Sequence, residues 1–177
     1  MFDALFTTTT EYQKLSHALS GKGACALFGL PASGRAQVYA ALCRQLDKPL
    51  CIVTPGEAEA TRFAADLNTL GIPAAVFPAR DYVLRPIEGT AREYEYRRLA
   101  VLGELVGGRL RAVAVPAEAL TQFTTPKEDF CANTRTLHAG DTLLRDDLLA
   151  ALFGAGYTRR AQVDGPGQFS VRGDIVA

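Results

Sequence analysis

The sequence predicts an α/β fold: a parallel sheet with flanking helices, followed by a small, truncated α+β domain. Three observations predict it. Apolar runs alternate with amphipathic helical stretches from residue 24 to residue 121, the rhythm of strand–helix units with right-handed crossovers. A glycine-rich turn, Gly29-Leu-Pro-Ala-Ser-Gly34-Arg35-Ala36, directly follows the first apolar run. The rhythm stops at residues 123–130, Phe-Thr-Thr-Pro-Lys-Glu-Asp-Phe, and short polar, turn-rich segments follow. The expected domains are therefore residues 1–124 and 125–177.

Each element has its own signal. Residues 10–20 carry Tyr12, Leu15 and Leu19 at helical spacing and end at Gly21 and Gly23. Residues 24–28 are apolar throughout, as in a strand covered on both faces. A helix over 35–46 aligns Val38, Leu42 and Leu46, and Leu50–Thr54 reads as a second buried strand. Pro55-Gly56 breaks the chain before a helix over 57–70 with Ala60, Phe63, Ala64, Leu67 and Leu70 inward. Gly71-Ile-Pro73 leads into a strand over 74–77, and residues 78–91 read as a surface loop. A helix over 91–106 sets Tyr94, Leu99, Leu102 and Leu105 on its apolar side. Its charges at Arg92, Glu93, Glu95, Arg97 and Arg98 read as a solvated face. A fourth strand over 111–115 and a short helix over 116–121 complete the larger domain.

In the remainder, a short strand is expected over 134–138, a turn at Gly140-Asp141 and a helix over 144–153. Tyr157 to Val176 alternates around Pro166-Gly167, a hairpin signal. The last strand runs straight to Ala177, which predicts a domain cut short and an unfinished edge open to pairing between copies.

Composition excludes several functions. With 177 residues, 48% of them hydrophobic, the chain can bury one core plus a small appendage. The formal net charge is zero, so no global field draws it to nucleic acid or membrane. No apolar run approaches the roughly 18 residues that span a bilayer, and Met1–Phe6 lacks the parts of a signal peptide. A cytoplasmic location is expected. Cys25, Cys43, Cys51 and Cys131 have no C-x-x-C spacing and read as small core hydrophobes, Cys25 and Cys51 in buried strands. His17 and His138 have no ligand-spaced partners and read as surface or helix-end residues. No catalytic residue and no metal ligand is expected.

The glycine-rich turn has the layout of a phosphate-binding loop. The working form, G-x-x-x-x-G-K-[ST], cradles phosphates on backbone N–H groups, places a Lys on the β/γ oxygens and a hydroxyl on Mg²⁺. Here Gly29 and Gly34 keep the spacing, but Arg35 stands at the Lys position and Ala36 at the hydroxyl position. A planar guanidinium replaces a compact ammonium, and alanine offers the metal no oxygen. The larger domain thus reads as a degenerate P-loop ATPase-like domain whose chemistry is lost. Two alternatives stand beside this: a plain βα turn in which both glycines meet backbone constraints, and a nucleotide site that still works.

Three separated stretches carry a family resemblance. The run from Gly156 to Ile175, Gly-Tyr-Thr-Arg159 … Val163 … Pro-Gly167-Gln-Phe169-Ser-Val-Arg172-Gly173-Asp-Ile, resembles a segment shared by UvrB and the bacterial transcription-repair-coupling factor (Mfd) family. Phe28–Ala36 resembles the degenerate loop of the coupling factors, where UvrB keeps Lys-Thr. Phe77-Pro-Ala-Arg-Asp81, Arg97-Arg98-Leu99 and Val113–Leu120 are similar to the N-terminal part of the same family. The resemblance runs from about residue 9 to the end. It implies a non-catalytic N-terminal UvrB-like module that recruits UvrA through its second, smaller domain. It also implies that the full protein displaces stalled RNA polymerase from double-stranded DNA with a separate ATP- and Mg-dependent translocase. No cofactor is then expected for this chain, and no membrane partner.

The resemblance implies partner-binding positions at Arg159 and Arg172, with Ser170 where UvrB has a third arginine. UvrB's long aromatic hairpin has no counterpart between Phe77 and Arg97, so the resemblance does not carry damage verification. Alternation would set Arg172 and Ser170 on one face of a hairpin and Phe169 and Val171 on the other. Guanidinium groups beside the aromatic Phe169 form a common interface anchor. The expected protein-binding residues are therefore Arg159, Phe169 and Arg172. A nucleotide hydrolase would need Lys-[ST] at 35–36 and an acidic strand end, where Val115-Pro116 stands. A direct DNA binder would show salt-sensitive affinity, which scattered arginines on a neutral chain do not favour.

Overall fold

The structure, a computed structural model, describes residues 7–21, 24–80 and 93–177. Its contacts divide the chain into two units that meet at Phe123 and Thr124.

The first unit is a three-stranded, all-parallel sheet with helices. Its elements are α1 (Thr10–Ser20), α2 (Ala32–Gln45), β1 (Leu50–Thr54), α3 (Glu57–Thr69), β2 (Ala74–Val76), α4 (Glu93–Val106), β3 (Ala112–Pro116) and α5 (Ala117–Leu120). The strand order is β1-β3-β2, with Leu50 and Ala74 both opposite Ala112. The last strand in sequence is therefore the central one. Its run Ala-Val-Ala-Val-Pro is buried at every position, as a strand covered on both faces requires. By contrast β1, an edge strand, alternates: Ile52 and Thr54 are buried while Cys51 and Val53 are exposed. This corrects the expectation of a fully buried strand at 50–54 and of a core thiol at Cys51. An apolar run reports burial on both faces only when neighbours cover both.

Local chemistry sets the helix ends. The Thr9 hydroxyl accepts from the Tyr12 N–H and caps α1. At the other end of α3, Gly71 takes φ +75°, the Ile72 N–H bonds the Leu67 carbonyl and the Gly71 N–H bonds that of Asn68. That is a Schellman ending, which glycine enters without a Cβ penalty. Asn68 then holds the start of β2 in both directions, donating to the Ala74 carbonyl at 2.8 Å and accepting from its N–H at 3.0 Å.

Three apolar clusters hold the unit. Ala60, Phe63, Ala64 and Leu67 of α3 face Ala40, Cys43, Ile52, Ala112 and Ala114, as their spacing predicts, with Leu70 packed at the margin. Val101 of α4 packs with Phe77, Leu110, Val113, Val115 and Ala119. Tyr12 packs with Val38, Ala41 and Leu42, and its hydroxyl donates to Gln45 Oε1 at 3.0 Å. Burial raises the Cys43 pKa, against the smaller opposing pull of Arg111 and Arg44, as suits a core thiol. The predicted loop over 78–91 and the start of the helix at 91 lie outside the described residues from 81 to 92.

Residues 24–28 form no strand. Ala24 to Gly29 are exposed and irregular, which corrects the predicted first strand and places Cys25 on the surface. Composition does not separate this run from β3, which also carries alanine at alternate positions; what it lacks is a strand partner, since no backbone hydrogen bond among the described residues joins it to β1.

In the second unit, α6 (Lys127–Ala132) and α7 (Arg145–Gly154) precede four two-residue strands: β4 (Thr158–Arg159), β5 (Gln168–Phe169), β6 (Val171–Arg172) and β7 (Ile175–Val176). Helix α6 stands where a polar, turn-rich stretch was expected. Pro126 precedes it, Glu128 and Asp129 sit in its first turn, and Asn133 and Thr134 side chains bond its last carbonyls. No strand forms over 134–138, where the Asp141 carboxylate instead accepts from the His138 N–H at 2.8 Å and closes a turn.

The hairpin also differs from its prediction. β6 and β7 pair antiparallel around Gly173-Asp174, with Arg172 opposite Ile175. Gly173 at φ +62° opens a two-residue turn that suits the twist of paired strands. Pro166-Gly167 turns the chain into β5 instead, and β4 and β5 run parallel. Phe169 is the one buried side chain of this unit, meeting Phe153 edge-on with centroids 5.1 Å apart.

Candidate functional site

The glycine-rich turn differs from a phosphate cradle in where its helix begins. Gly29 sits at φ +81°, and Pro31 precedes α2, whose first residue is Ala32. Gly34 and Arg35 therefore lie inside the first helical turn, and their N–H groups bond the Pro31 carbonyl at 3.0 and 3.2 Å. Those two donors are already used. A Cβ on Gly34 would stand 3.3 Å from the Pro31 ring, so close packing accounts for this glycine. Ala36 is buried and Arg35 is exposed, on the wall of a cleft of about 310 Å³ that Phe28 and Tyr39 also line. Each glycine thus has a local backbone reason.

A second polar arrangement lies after β2, and the charge pattern concealed it. Arg98 of α4, expected on a solvated face, is 3% exposed. Its Nη1 donates to the Pro78 carbonyl at 2.8 Å and to Gln122 Oε1 at 3.1 Å, and its guanidinium lies 4.1 Å from the centre of the Phe77 ring. Gln122 also accepts from the Arg80 N–H at 2.7 Å and donates to the Arg80 carbonyl at 3.1 Å. The arrangement holds the chain where it leaves the sheet. The signal was present in the spacing: Arg98, Val101, Leu102 and Leu105 fall on one helical stripe, whereas Leu99 points outward.

The second unit holds the arginines that the resemblance pointed to. Arg159 on β4 and Arg172 on β6 are exposed, as is Arg160 beside the first. Among the described residues none of the three forms an ion pair. The nearby acid Asp174 lies 3.7 Å from Arg145 Nη1, whose guanidinium also reaches the Gly173 carbonyl at 3.5 Å. The start of α7 thus touches the turn between β6 and β7. The Asp164 N–H donates to Gln168 Oε1 and shapes the loop before β5. The register sets Arg159 beside Phe169, whose carbonyl accepts from the Arg160 N–H at 2.8 Å. Phe169 itself is 2% exposed. Its ring fills the interior of the unit, so Phe169, expected among the protein-binding residues, supports the strands from within. Ser170 is half-buried and its N–H and carbonyl both bond Ala177. The result is a pair of short strand ladders with exposed guanidinium groups around one aromatic pair, of which Phe169 alone is buried.

His17 and His138 are both exposed, and the described residues hold no group of three or more His, Cys, Asp or Glu side chains placed for a metal. No helix among the described residues is long and apolar enough to cross a membrane.

Residues 136–177 match the family described as the UvrB interaction domain. Among curated relatives, the transcription-repair-coupling factor of Bacillus subtilis (strain 168) is 28% identical over 152 residues, covering 85% of this chain and 13% of that protein. That of Staphylococcus aureus (strain USA300) is 24% identical over 174 residues, covering 97% of this chain and 15% of the relative. The chain therefore spans about one seventh of the length of these proteins.

Proposed function

We infer that this chain, whose residues 136–177 match the UvrB interaction domain and which is similar to the transcription-repair-coupling factors, is an N-terminal UvrB-like module that serves transcription-repair coupling by docking UvrA. The observation that carries this reading is the exposure, without ion pairs among the described residues, of Arg159 and Arg172 inside the matched region. Guanidinium groups left unpaired on a surface suit an acidic partner patch, and arginine is enriched at the energetic centres of interfaces. Phe169 supports those strands from within.

On this reading the chain is not an enzyme and needs no cofactor. The first unit is a P-loop ATPase-derived scaffold in which Arg35 and Ala36 replace the catalytic Lys and hydroxyl. ATP, Mg²⁺, double-stranded DNA and RNA polymerase belong to the full-length translocase, which works in the cytoplasm. Millimolar ATP with Mg²⁺ is expected to leave the melting temperature unchanged, whereas a clear rise would identify a working nucleotide site.

Calorimetric titration with UvrA from the same source tests the docking surface. Saturable binding is expected, weakened about tenfold or more (roughly 1.4 kcal/mol) by Arg172→Glu, with an unchanged melting temperature. Equal affinity in the variant removes Arg172 from the surface, and no binding by the folded chain overturns the reading.

A further inference from the structure

Two of the four cysteines share one groove. Cys25, on the irregular segment Ala24–Gly29, and Cys51, on the outward side of β1, both line a cleft of about 260 Å³ together with Leu27 and Val53. Both are exposed free thiols, whereas Cys43 is buried and Cys131 belongs to the other unit. Their placement follows from two features of the fold. Alternation along β1 turns Ile52 and Thr54 inward and Cys51 outward. The segment that bears Cys25 makes no backbone hydrogen bond to β1, so it can adjust the approach of one sulfur to the other. β1 lies at an end of the strand order, so its outer edge has no strand partner in the sheet.

We propose that Cys25 and Cys51 form a reversible disulfide that ties the Ala24–Gly29 segment to the edge of β1, with a small-molecule disulfide such as oxidised glutathione as the oxidant. One protein thiolate attacks a sulfur of the small disulfide, forming a mixed disulfide and releasing one small thiolate. The second protein thiolate attacks the protein-bound sulfur, forming the Cys25–Cys51 bond and releasing the other. Two protein thiols lose two electrons and two protons, and one small disulfide becomes two thiols. Burial raises the Cys51 pKa, which suits it to the second step, where a high effective concentration offsets a small thiolate fraction. The bond closes a loop that contains all of α2 and draws Leu27 toward the exposed Val53. An otherwise open strand edge is then covered by the chain's own segment.

The test is oxidation of the whole native chain by oxidised glutathione, followed by alkylation, trypsin digestion and mass spectrometry. Peptide 23–35 joined to peptide 45–62 is expected within a monomer. The melting temperature should rise by about 5 °C, and dithiothreitol should reverse both changes. Cys25→Ser and Cys51→Ser should each keep one glutathione on the remaining thiol of the pair, apart from any adduct on the exposed Cys131, and show no such rise. Cys131→Ser, in the other unit, should behave as the parent. Stable separate glutathione adducts on Cys25 and Cys51 of the parent chain would overturn the proposal. So would a crosslink that forms only between copies, or one that forms equally well in denaturant.

Discussion

The first unit and the second solve the problem of burial in opposite ways. In the first, three apolar clusters enclose a parallel sheet whose central strand has no exposed position. In the second, Phe169 alone is buried, and its neighbours are two-residue ladders and turns. A unit of that size buries too little to spread its stability over many residues. What it gains is surface: short strands leave Arg159, Arg160 and Arg172 in solvent, where a partner can reach them. The first unit is thus a scaffold whose side chains chiefly hold each other, and the second keeps most of its side chains in solvent.

A matched pair of truncations distinguishes the two units most strongly. Leu67→Ala in the first unit and Phe169→Ala in the second each remove a fully enclosed side chain, at about 2–5 and 3–5 kcal/mol respectively. The expected consequences differ although the energies are similar. Phe169→Ala should abolish hydrogen-exchange protection at Thr158, Arg160 and Ser170 and leave the first unit's amides protected. Leu67→Ala should lower the denaturation midpoint of the first unit without unfolding it. Protection retained in the second unit after Phe169→Ala would mean that its fold has another source.

A smaller effect tests the polar interior of the scaffold. Arg98→Leu removes hydrogen bonds to Pro78 and Gln122 together with the contact on Phe77. Hydrogen bonds made by a charged group are worth about 1.5–3 kcal/mol, so a loss of that size is expected on chemical denaturation. An unchanged midpoint would return Arg98 to the solvated face that its neighbours suggested.

The smallest effect belongs to the surface of the scaffold. Arg109 grips Glu104 with two bonds of 2.8 Å, and that hydrogen bonding holds the Glu104 carboxyl below its ordinary pKa. A carboxyl depressed in the folded state adds stability above its unfolded pKa and loses it as pH falls through the folded one. Glu104→Gln should therefore lower the melting temperature slightly at neutral pH, and the difference should vanish on acidification below the usual carboxylate range. Both side chains are solvent-exposed, so added salt should shrink the effect as well.

Much of the scaffold was legible because its signals are local. The spacing of Ala60, Phe63, Ala64 and Leu67 marks one face of a helix whatever lies opposite. Gly71 after that helix marks its end, because only a residue tolerant of positive φ completes the cap. Of the residues that the resemblance pointed to, Arg159 and Arg172 are exposed and Phe169 is inside. Alternation in a strand distinguishes two faces but does not say which of them meets Phe153.

From the amino-acid sequence come the α/β class, the inward face of α3 and the three paired strands. Tertiary structure alone decided that β3 is central, that Ala24–Phe28 stays out of the sheet and that Pro78 and Gln122 are the groups that meet Arg98. It also decided that the second unit turns at Gly173-Asp174 within its antiparallel pair. The physical reason is the same throughout. Periodicity records the phase of a segment relative to its own axis, whereas burial of the other face depends on groups distant in the chain. Gln122 and Pro78 bond Arg98 in the interior, and at 24 and 20 residues away they lie beyond any helical pattern read around residue 98.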